Sequence, residues 1–376
     1  MKLLFMTNVP SPYRVDFFNE LGKMCDLTVT FEKKTSTERG DAWNGYKFDY
    51  FKGVFLRGKS INTDTAICPE IINYLRDSSF DYIICSDFLS PTGMLAIEYM
   101  RFHNIKYFLE SDGGFAKSGI GLKEKLKKHF ISGAIGYYST SKKHDDYYIM
   151  YGAKKEQLYR YPFTSLKKTD ILFEPPTSER KKELQDFLGI KEEQCIISVG
   201  RFSYLKGRGK GFDLLLKIAE ELNNSIGVYI IGDRPTEEFL QWKKLSGKRL
   251  DNLHFIDFKK KRDLFQYYQA ADLFILLTRG EAWGLVINEA MANGLPIITT
   301  TKCMAGTELV KERENGYLVP VDDYQMALKR VNHILADSEL RKKMAQKSID
   351  LINNYTIEKM AECHLDIINE LQAKNK

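Results

Sequence analysis

Short apolar, β-prone runs alternate along the chain with longer segments in which apolar residues recur every three or four positions. The short runs predict strands at residues 2–6, 25–31, 81–85 and 106–109, and again at 196–199, 228–231, 253–255, 274–277, 295–298 and 317–319. The longer segments predict helices at 15–23, 93–101, 211–222 and 263–271, one between Gly284 and Gly294, one starting at Gly306, and continuous helix from Ala327. Strand and helix in regular alternation give an α/β protein with doubly wound parallel sheets. Periodicity fades between Phe163 and Lys182, where Thr164-Ser165, Pro175-Pro176 and Thr177-Ser178 mark a surface connection. The chain is therefore divided into 1–170, 171–355 and a last helix, 356–376, which follows a break at Asn353-Asn354-Tyr355-Thr356.

Polar residues concentrate where strands end, the place where open α/β sheets hold ligands. After the strand at 274–277 come Arg279, Gly280, Glu281 and Trp283, then a helix opened by Gly284 and Leu285 with Glu289 in its body. Both acids can face one crevice while the first amides of the helix point at an anion. Trp283 is expected to offer a flat face to a sugar or base. After the strand at 196–199, Gly200 lets the chain turn, and Arg201 and Lys206 bring a guanidinium fork and a point ammonium suited to a diphosphate. In the first half, the strand at 106–109 runs into Glu110, Ser111, Asp112, Gly113 and Gly114, with Lys117 and Ser118 beyond. Tyr13 and Arg14 open the first helix, and Asp87 either faces a ligand or caps the helix after it. The first loop, Thr7-Asn8-Val9-Pro10, lacks G-x-G-x-x-G, which removes the main support for a dinucleotide site.

Composition narrows the choice of partner. A chain of 376 residues with 43% apolar content fills two cores rather than one. Its net charge of +6 is spread without long Lys/Arg blocks, so an anionic small molecule or anionic membrane fits better than nucleic acid. Six cysteines without any C-x-x-C pair argue against a metal site and a disulfide framework. No apolar run approaches the length that spans a bilayer, and the expected location is the cytoplasm, extending to the inner face of the plasma membrane. Around residues 121–135, Leu122, Leu126 and Phe130 recur every four positions while Lys123, Lys125, Lys127 and Lys128 cover the rest. Such a basic amphipathic helix either packs on a core with its lysines solvated or holds them against anionic lipid, at about 1 kcal/mol per basic residue.

With these motifs in place, the chain resembles the retaining, nucleotide-sugar-dependent glycosyltransferases of the GT-B fold, the large family four, in its bacterial surface-polysaccharide branch. Glu281 and Glu289 match that family's pair of glutamates eight positions apart, residues 284–296 match its G-L-x-x-x-E-A-M-A-x-G-x-P run, and Arg201 and Lys206 match its basic pair. Ser11-Pro12-Tyr13-Arg14 followed by Phe17-Phe18 is similar to the opening of some surface-polysaccharide transferases, although many relatives carry a histidine where this chain has Glu110, Ser111 and Asp112. The resemblance implies two Rossmann-like domains facing a central cleft, the first for the acceptor and the second for the donor, with the last helix packing back on the first. It implies that Arg201 and Lys206 hold the donor diphosphate, Glu289 the ribose and Glu281 the donor sugar, with Gly200, Trp283, Gly284 and Leu285 lining the donor. Tyr13, Arg14 and Asp87 then lie on the acceptor side, and Glu110 or Asp112 replaces the histidine. The implied reaction is metal-independent, retaining transfer of a hexose from a UDP-sugar, favoured over a GDP-sugar, to a glycan or lipid-linked saccharide in capsule or lipopolysaccharide synthesis, with no cofactor. A sugar-nucleotide epimerase of related fold and an inactive sugar-nucleotide-binding protein are the alternatives.

Overall fold

The computed structural model describes residues 1–34, 47–77, 79–116 and 121–374, so Lys117 and Ser118 lie outside the described residues. The chain divides into two compact units, Met1–Ser165 together with Thr356–Lys376, and Leu166–Tyr355. Each is an α/β unit of Rossmann type built on a parallel sheet.

In the first unit the order is β1 (Lys2–Thr7), α1 (Pro12–Gly22), β2 (Asp26–Phe31), β3 (Lys52–Phe55), a small antiparallel pair of β4 (Lys59–Ser60) and β5 (Ala66–Ile67), and α2 (Ile71–Leu75). Then follow β6 (Tyr82–Cys85), α3 (Pro91–Phe102), β7 (Phe108–Glu110), α4 (Leu122–Ile131), β8 (Gly136–Ser139), α5 (Lys142–Met150) and β9 (Leu158–Arg160). The sheet runs β3-β2-β1-β6-β7-β8-β9. β1 is buried from Leu3 onward because α1, through Phe17, Phe18 and Leu21, covers one of its faces. Helix α14 (Ile357–Lys374) completes this unit: its His364 stacks on Tyr138 at 4.4 Å and packs against Phe17 at 4.8 Å.

The second unit contains α6 (Ser178–Leu188), β10 (Gln194–Gly200), α7 (Phe212–Glu221), β11 (Ile226–Gly232), α8 (Glu237–Ser246), β12 (Leu253–Asp257), α9 (Lys261–Ala270), β13 (Leu273–Leu276) and α10 (Leu285–Ala292). It ends with β14 (Ile297–Thr300), α11 (Met304–Leu309), β15 (Gly316–Val319), α12 (Tyr324–Ala336) and α13 (Ser338–Ile352). Its sheet runs β12-β11-β10-β13-β14-β15, all parallel. Helix α10 stops where the pattern placed its end, with Gly294 at φ +73 just beyond it, a conformation a side chain would strain. Helix α11 begins at Met304, two residues before the predicted start at Gly306.

The stretch around residues 121–135 departs from its reading. Phe130 and Ile131 are buried, but Leu122 is 84% and Leu126 49% exposed, so the predicted apolar row does not pack inward as a whole.

Candidate functional site

Strand order places the site of the second unit. The chain winds outward from β10 through β11 to β12, then returns to the other side of β10 with β13, and the carboxyl ends of β10 and β13 flank that reversal, where parallel sheets open a crevice. Gly200 and the half-buried Arg201 stand on one side, and the segment from Leu277 to Glu281 stands on the other.

The loop between β10 and α7 is held by Asp233, whose carboxylate accepts the backbone N–H groups of Phe202 and, at 3.1 Å, Ser203. It then passes through three left-handed residues, Leu205, Lys206 and Gly207, at φ +50, +52 and +79. Two of these carry side chains in a conformation that costs roughly 1–2 kcal/mol each, and the turn leaves Lys206 exposed. The lysine that reaches the crevice is instead Lys210. Its Cγ would lie 3.2 Å from a Cβ on Gly200, and its ammonium is ion-paired with Glu281 Oε2. Both partners are about one-fifth exposed, Lys210 at 17% and Glu281 at 20%. Lys206, expected in the basic pair, thus stands in solvent on a left-handed turn, and Lys210 is the lysine beside Glu281.

Gly211 makes that placement possible. It adopts φ +74, and a Cβ there would stand 2.1 Å from the carbonyl oxygen of Leu277. Gly211→Ala is expected to destabilise the protein by roughly 2 kcal/mol or more, measured as a lower urea midpoint. Nearby, Arg279 grips both oxygens of Asp213 at 2.8 Å and Asp322 at 2.7 Å, tying the end of β13 to the start of α7.

Glu281 is fixed through its backbone, its N–H donating to the carbonyl of Lys302 at 2.9 Å. Gly284, the N-cap of α10, adopts φ +104, and a Cβ there would stand 2.9 Å from Cys303 Sγ and 3.1 Å from Glu281 Cγ, so only glycine brings the first turn of α10 this close to Glu281. Leu285, half-buried, follows it. Glu289 is half-buried on α10 and accepts the Tyr268 hydroxyl at 3.3 Å. Trp283 does not present a face to a ligand, contrary to expectation. It is 2% exposed, and its indole N–H donates to Asn288 Oδ1 at 2.8 Å.

In the first unit the reversal falls between β1 and β6. Asp87 closes it: its Oδ2 accepts the Thr7 hydroxyl at 3.1 Å, the Asn8 N–H at 2.9 Å and the Ser86 hydroxyl at 3.1 Å. The cap of α3 is Ser90, which accepts from the N–H of Gly93 at 2.9 Å, so Asp87 does not cap that helix. Arg14 is corrected from a crevice-facing group to a buried strut. It is 5% exposed and bridges Glu110 and Asp112 at 2.8 Å each. Glu110 is fully buried, so it cannot touch an acceptor. Burial pushes its carboxyl up, and Arg14, with His364 adding to it, more than reverses this and holds it at about 2. Tyr161 donates to its Oε1 at 2.7 Å. Asp112 differs: its side chain is 44% exposed, and it receives the half-buried Tyr13 hydroxyl at 3.1 Å. Of the two acids, Asp112 is the one open to a ligand.

Two histidines that the sequence reading did not place here support this end of the sheet. His364, on α14, stands 3.6 Å from Glu110 Oε1 with both side chains fully buried. His144, on α5, is buried, which pushes its imidazole down to about 3. The Thr140 N–H points at its Nδ1 at 3.2 Å, which makes Nδ1 an acceptor and puts the proton on Nε2. Nε2 then donates to Ser111 Oγ at 2.9 Å, so the Ser111–His144 pair anchors the loop and is not a nucleophile with its base.

Residues 180–350 match the family described as glycosyl transferases group 1. Curated proteins also match part of the chain. They include an uncharacterized glycosyltransferase of Haemophilus influenzae, 33% identical over 175 residues, covering 46% of this chain and 48% of the relative. Another is the lipopolysaccharide glucosyltransferase WaaG of Escherichia coli, 28% identical over 182 residues and covering 48% of each chain. The chain spans about half the length of the curated relatives it matches. Among solved structures, Anabaena HepE in complex with UDP superposes with a TM-score of 0.76 at 13% identity, covering 98% of this chain and all of the other. That likeness establishes the fold, two Rossmann-like parallel-sheet units of the kind found in GT-B glycosyltransferases. Among the described residues, no helix is long and apolar enough to cross a membrane.

Proposed function

We propose that the protein is a retaining, metal-independent glycosyltransferase that moves a hexose from a nucleoside-diphosphate sugar, a UDP-sugar in preference to a GDP-sugar, to a glycan or lipid-linked saccharide in bacterial polysaccharide synthesis. The observation that carries this reading is the Lys210–Glu281 pair at the strand-order reversal of the second unit, beside Arg201 and the first turn of α10. In this reading Arg201 and Lys210 hold the diphosphate, and the unpaired amides of α10 add to them. As the bond from the anomeric carbon to phosphate breaks, negative charge grows on the leaving diphosphate, and fixed cations in a partly dry site stabilise it without reorganising. Glu281, restrained by Lys210, orients a sugar hydroxyl, and Glu289 accepts the ribose hydroxyls. The acceptor oxygen forms its bond to the anomeric carbon on the face the phosphate leaves, and the phosphate takes the acceptor proton. Asp112, with Tyr13, positions the acceptor. The UDP and UDP-glucose complexes of Anabaena HepE favour a uridine donor, and similarity to the lipopolysaccharide glucosyltransferase WaaG favours a lipopolysaccharide-type acceptor.

A panel of UDP- and GDP-hexoses, incubated with candidate saccharide acceptors and followed by nucleotide release and NMR of the product, tests this. Acceptor-dependent release of UDP with retained anomeric configuration is expected. An inverted product, or nucleotide release at full rate without acceptor, would sink the reading, and the latter would favour an epimerase.

The exposed Leu122 and Leu126 lie among Lys123, Lys125 and Lys128, also exposed, and the half-buried Lys127, which supports attachment of this helix to an anionic membrane surface. Flotation with phosphatidylserine-containing vesicles is expected for the native protein and lost when Leu122 and Leu126 become Ser and the four lysines become Ala. Equal flotation of this variant would remove the membrane from the proposal.

A further inference from the structure

At the amino ends of the second unit's strands, opposite the crevice described above, lies an open cavity of about 170 Å³ lined by Lys181, Arg341, Lys342, Asp272 and Gln269, with Asn293 buried in its wall. Its charge is unbalanced. Asp272, just before β13, accepts the Cys195 N–H at 2.9 Å through Oδ2, while its Oδ1 holds the Lys181 ammonium and stands 3.5 Å from Arg341 Nε. One buried carboxylate thus serves two cations that are each only about one-fifth exposed, Lys181 at 21% and Arg341 at 20%. Lys342 adds a third, and its partner, Glu339, is 3.3 Å away with both side chains at least 70% exposed, where water screens the pair.

The cations are also held in place. Arg341 Nη1 donates to the carbonyls of Leu335 and, at 3.3 Å, Ile334, which fixes its guanidinium at the end of α12. Ser178 and Ser338, the first residues of α6 and α13, line the same wall, so the positive ends of two helices add to the field. An ion-pair staple needs one cation per carboxylate, and the surplus here, facing a concave polar space, suits an oxyanion with several acceptor oxygens.

We propose that this cavity binds a phosphoryl group, seated between Lys181, Arg341 and Lys342. Gln269, half-buried, lines the same space beyond the three cations, which favours a phosphate ester whose body meets it. Asn293 follows the last residue of α10, accepting the Gln269 amide at 2.9 Å and donating to the carbonyl of Glu289 at 2.8 Å. A ligand here would touch Gln269, whose amide holds Asn293 just beyond the far end of the helix whose first turn borders the Lys210–Glu281 pair.

Calorimetry of the full chain with glucose 1-phosphate and with inorganic phosphate tests the site. The ester is expected to bind more tightly, which would name it as the source of the phosphoryl group; tighter binding of inorganic phosphate would name the free ion. Lys342→Gln combined with Ser338→Asp, both at the start of α13 where an acid favours the helix, should weaken binding by about 10-fold or more, while Arg201→Ala changes it by less than about 3-fold. Lys181→Gln should abolish it, with the α13 variant as the control should Asp272 lose its fold without Lys181. Binding lost in Arg201→Ala but kept in the α13 variant, or no binding of either compound, would overturn the proposal.

Discussion

Lys210→Ala is expected to lower kcat/KM for sugar transfer by about 100- to 1,000-fold, while Lys206→Ala leaves it within about 3-fold. The two lysines lie in one loop and differ in sequence only by position. Lys210 is half-buried in the crevice wall, its stem against Gly200 and its ammonium on Glu281, whereas the left-handed turn at Leu205, Lys206 and Gly207 leaves Lys206 in solvent. Removing Lys210 takes away a fixed charge that would oppose the leaving diphosphate and also leaves Glu281 without its restraint. Steady-state kinetics of both variants with the preferred donor, alongside their thermal midpoints, separates the catalytic effect from unfolding. Equal losses in the two variants would return the role to the loop as a whole.

Arg14→Met is expected to destabilise the first unit by about 3–5 kcal/mol at pH 7, because it leaves the fully buried Glu110 charged without its partner. The pH dependence carries the sharper test. In the native protein the Glu110 carboxyl titrates at about 2, below its ordinary value of 4.5, so it contributes stability that is complete above pH 4.5 and is lost as pH falls toward 2. Without Arg14, burial dominates, the folded carboxyl titrates above its unfolded value, and the sign reverses: the variant recovers stability as pH falls from 7 toward 4.5. Urea midpoints at pH 7 and pH 5 check this. A variant that loses stability on acidification as steeply as the native protein would show that Arg14 is not what sets the Glu110 charge.

How much of this is legible in the residues depends on how local each cause is. Strands β10, β11 and β13 announce themselves because parallel strands covered on both faces need unbroken apolar runs. Strands β8 and β9, reading GYYS and LYR, carry no such run, and only their pairing with β7 and with each other makes them strands. The glutamates of the second unit lie on the elements the pattern predicts, Glu281 in the loop after β13 and Glu289 in the body of α10. Lys210 was hidden because Lys206-Gly207 and Lys210-Gly211 are equivalent as text, and only the backbone angles between them decide which side chain turns inward. Trp283 looked available because it follows a strand end, but an indole N–H finds its partner locally, and Asn288 on the next helix turn supplied it. Glu110 and Asp112 are two positions apart at the end of β7, and their different fates follow from Arg14, Tyr161 and His364, which arrive from distant parts of the chain.

That distance has a consequence for the order of events at the ribosome. The second unit is a continuous stretch, Leu166–Tyr355, but the first waits for Thr356–Lys376, whose helix brings His364 against Glu110, Tyr138 and Phe17. At usual translation speeds the gap between the end of β9 and the emergence of α14 lasts on the order of 10–40 s. Throughout that interval Phe17 and Tyr138 lack the helix that covers them, so the first-made half of the chain is the last to close, and a chaperone's opportunity to act falls on it.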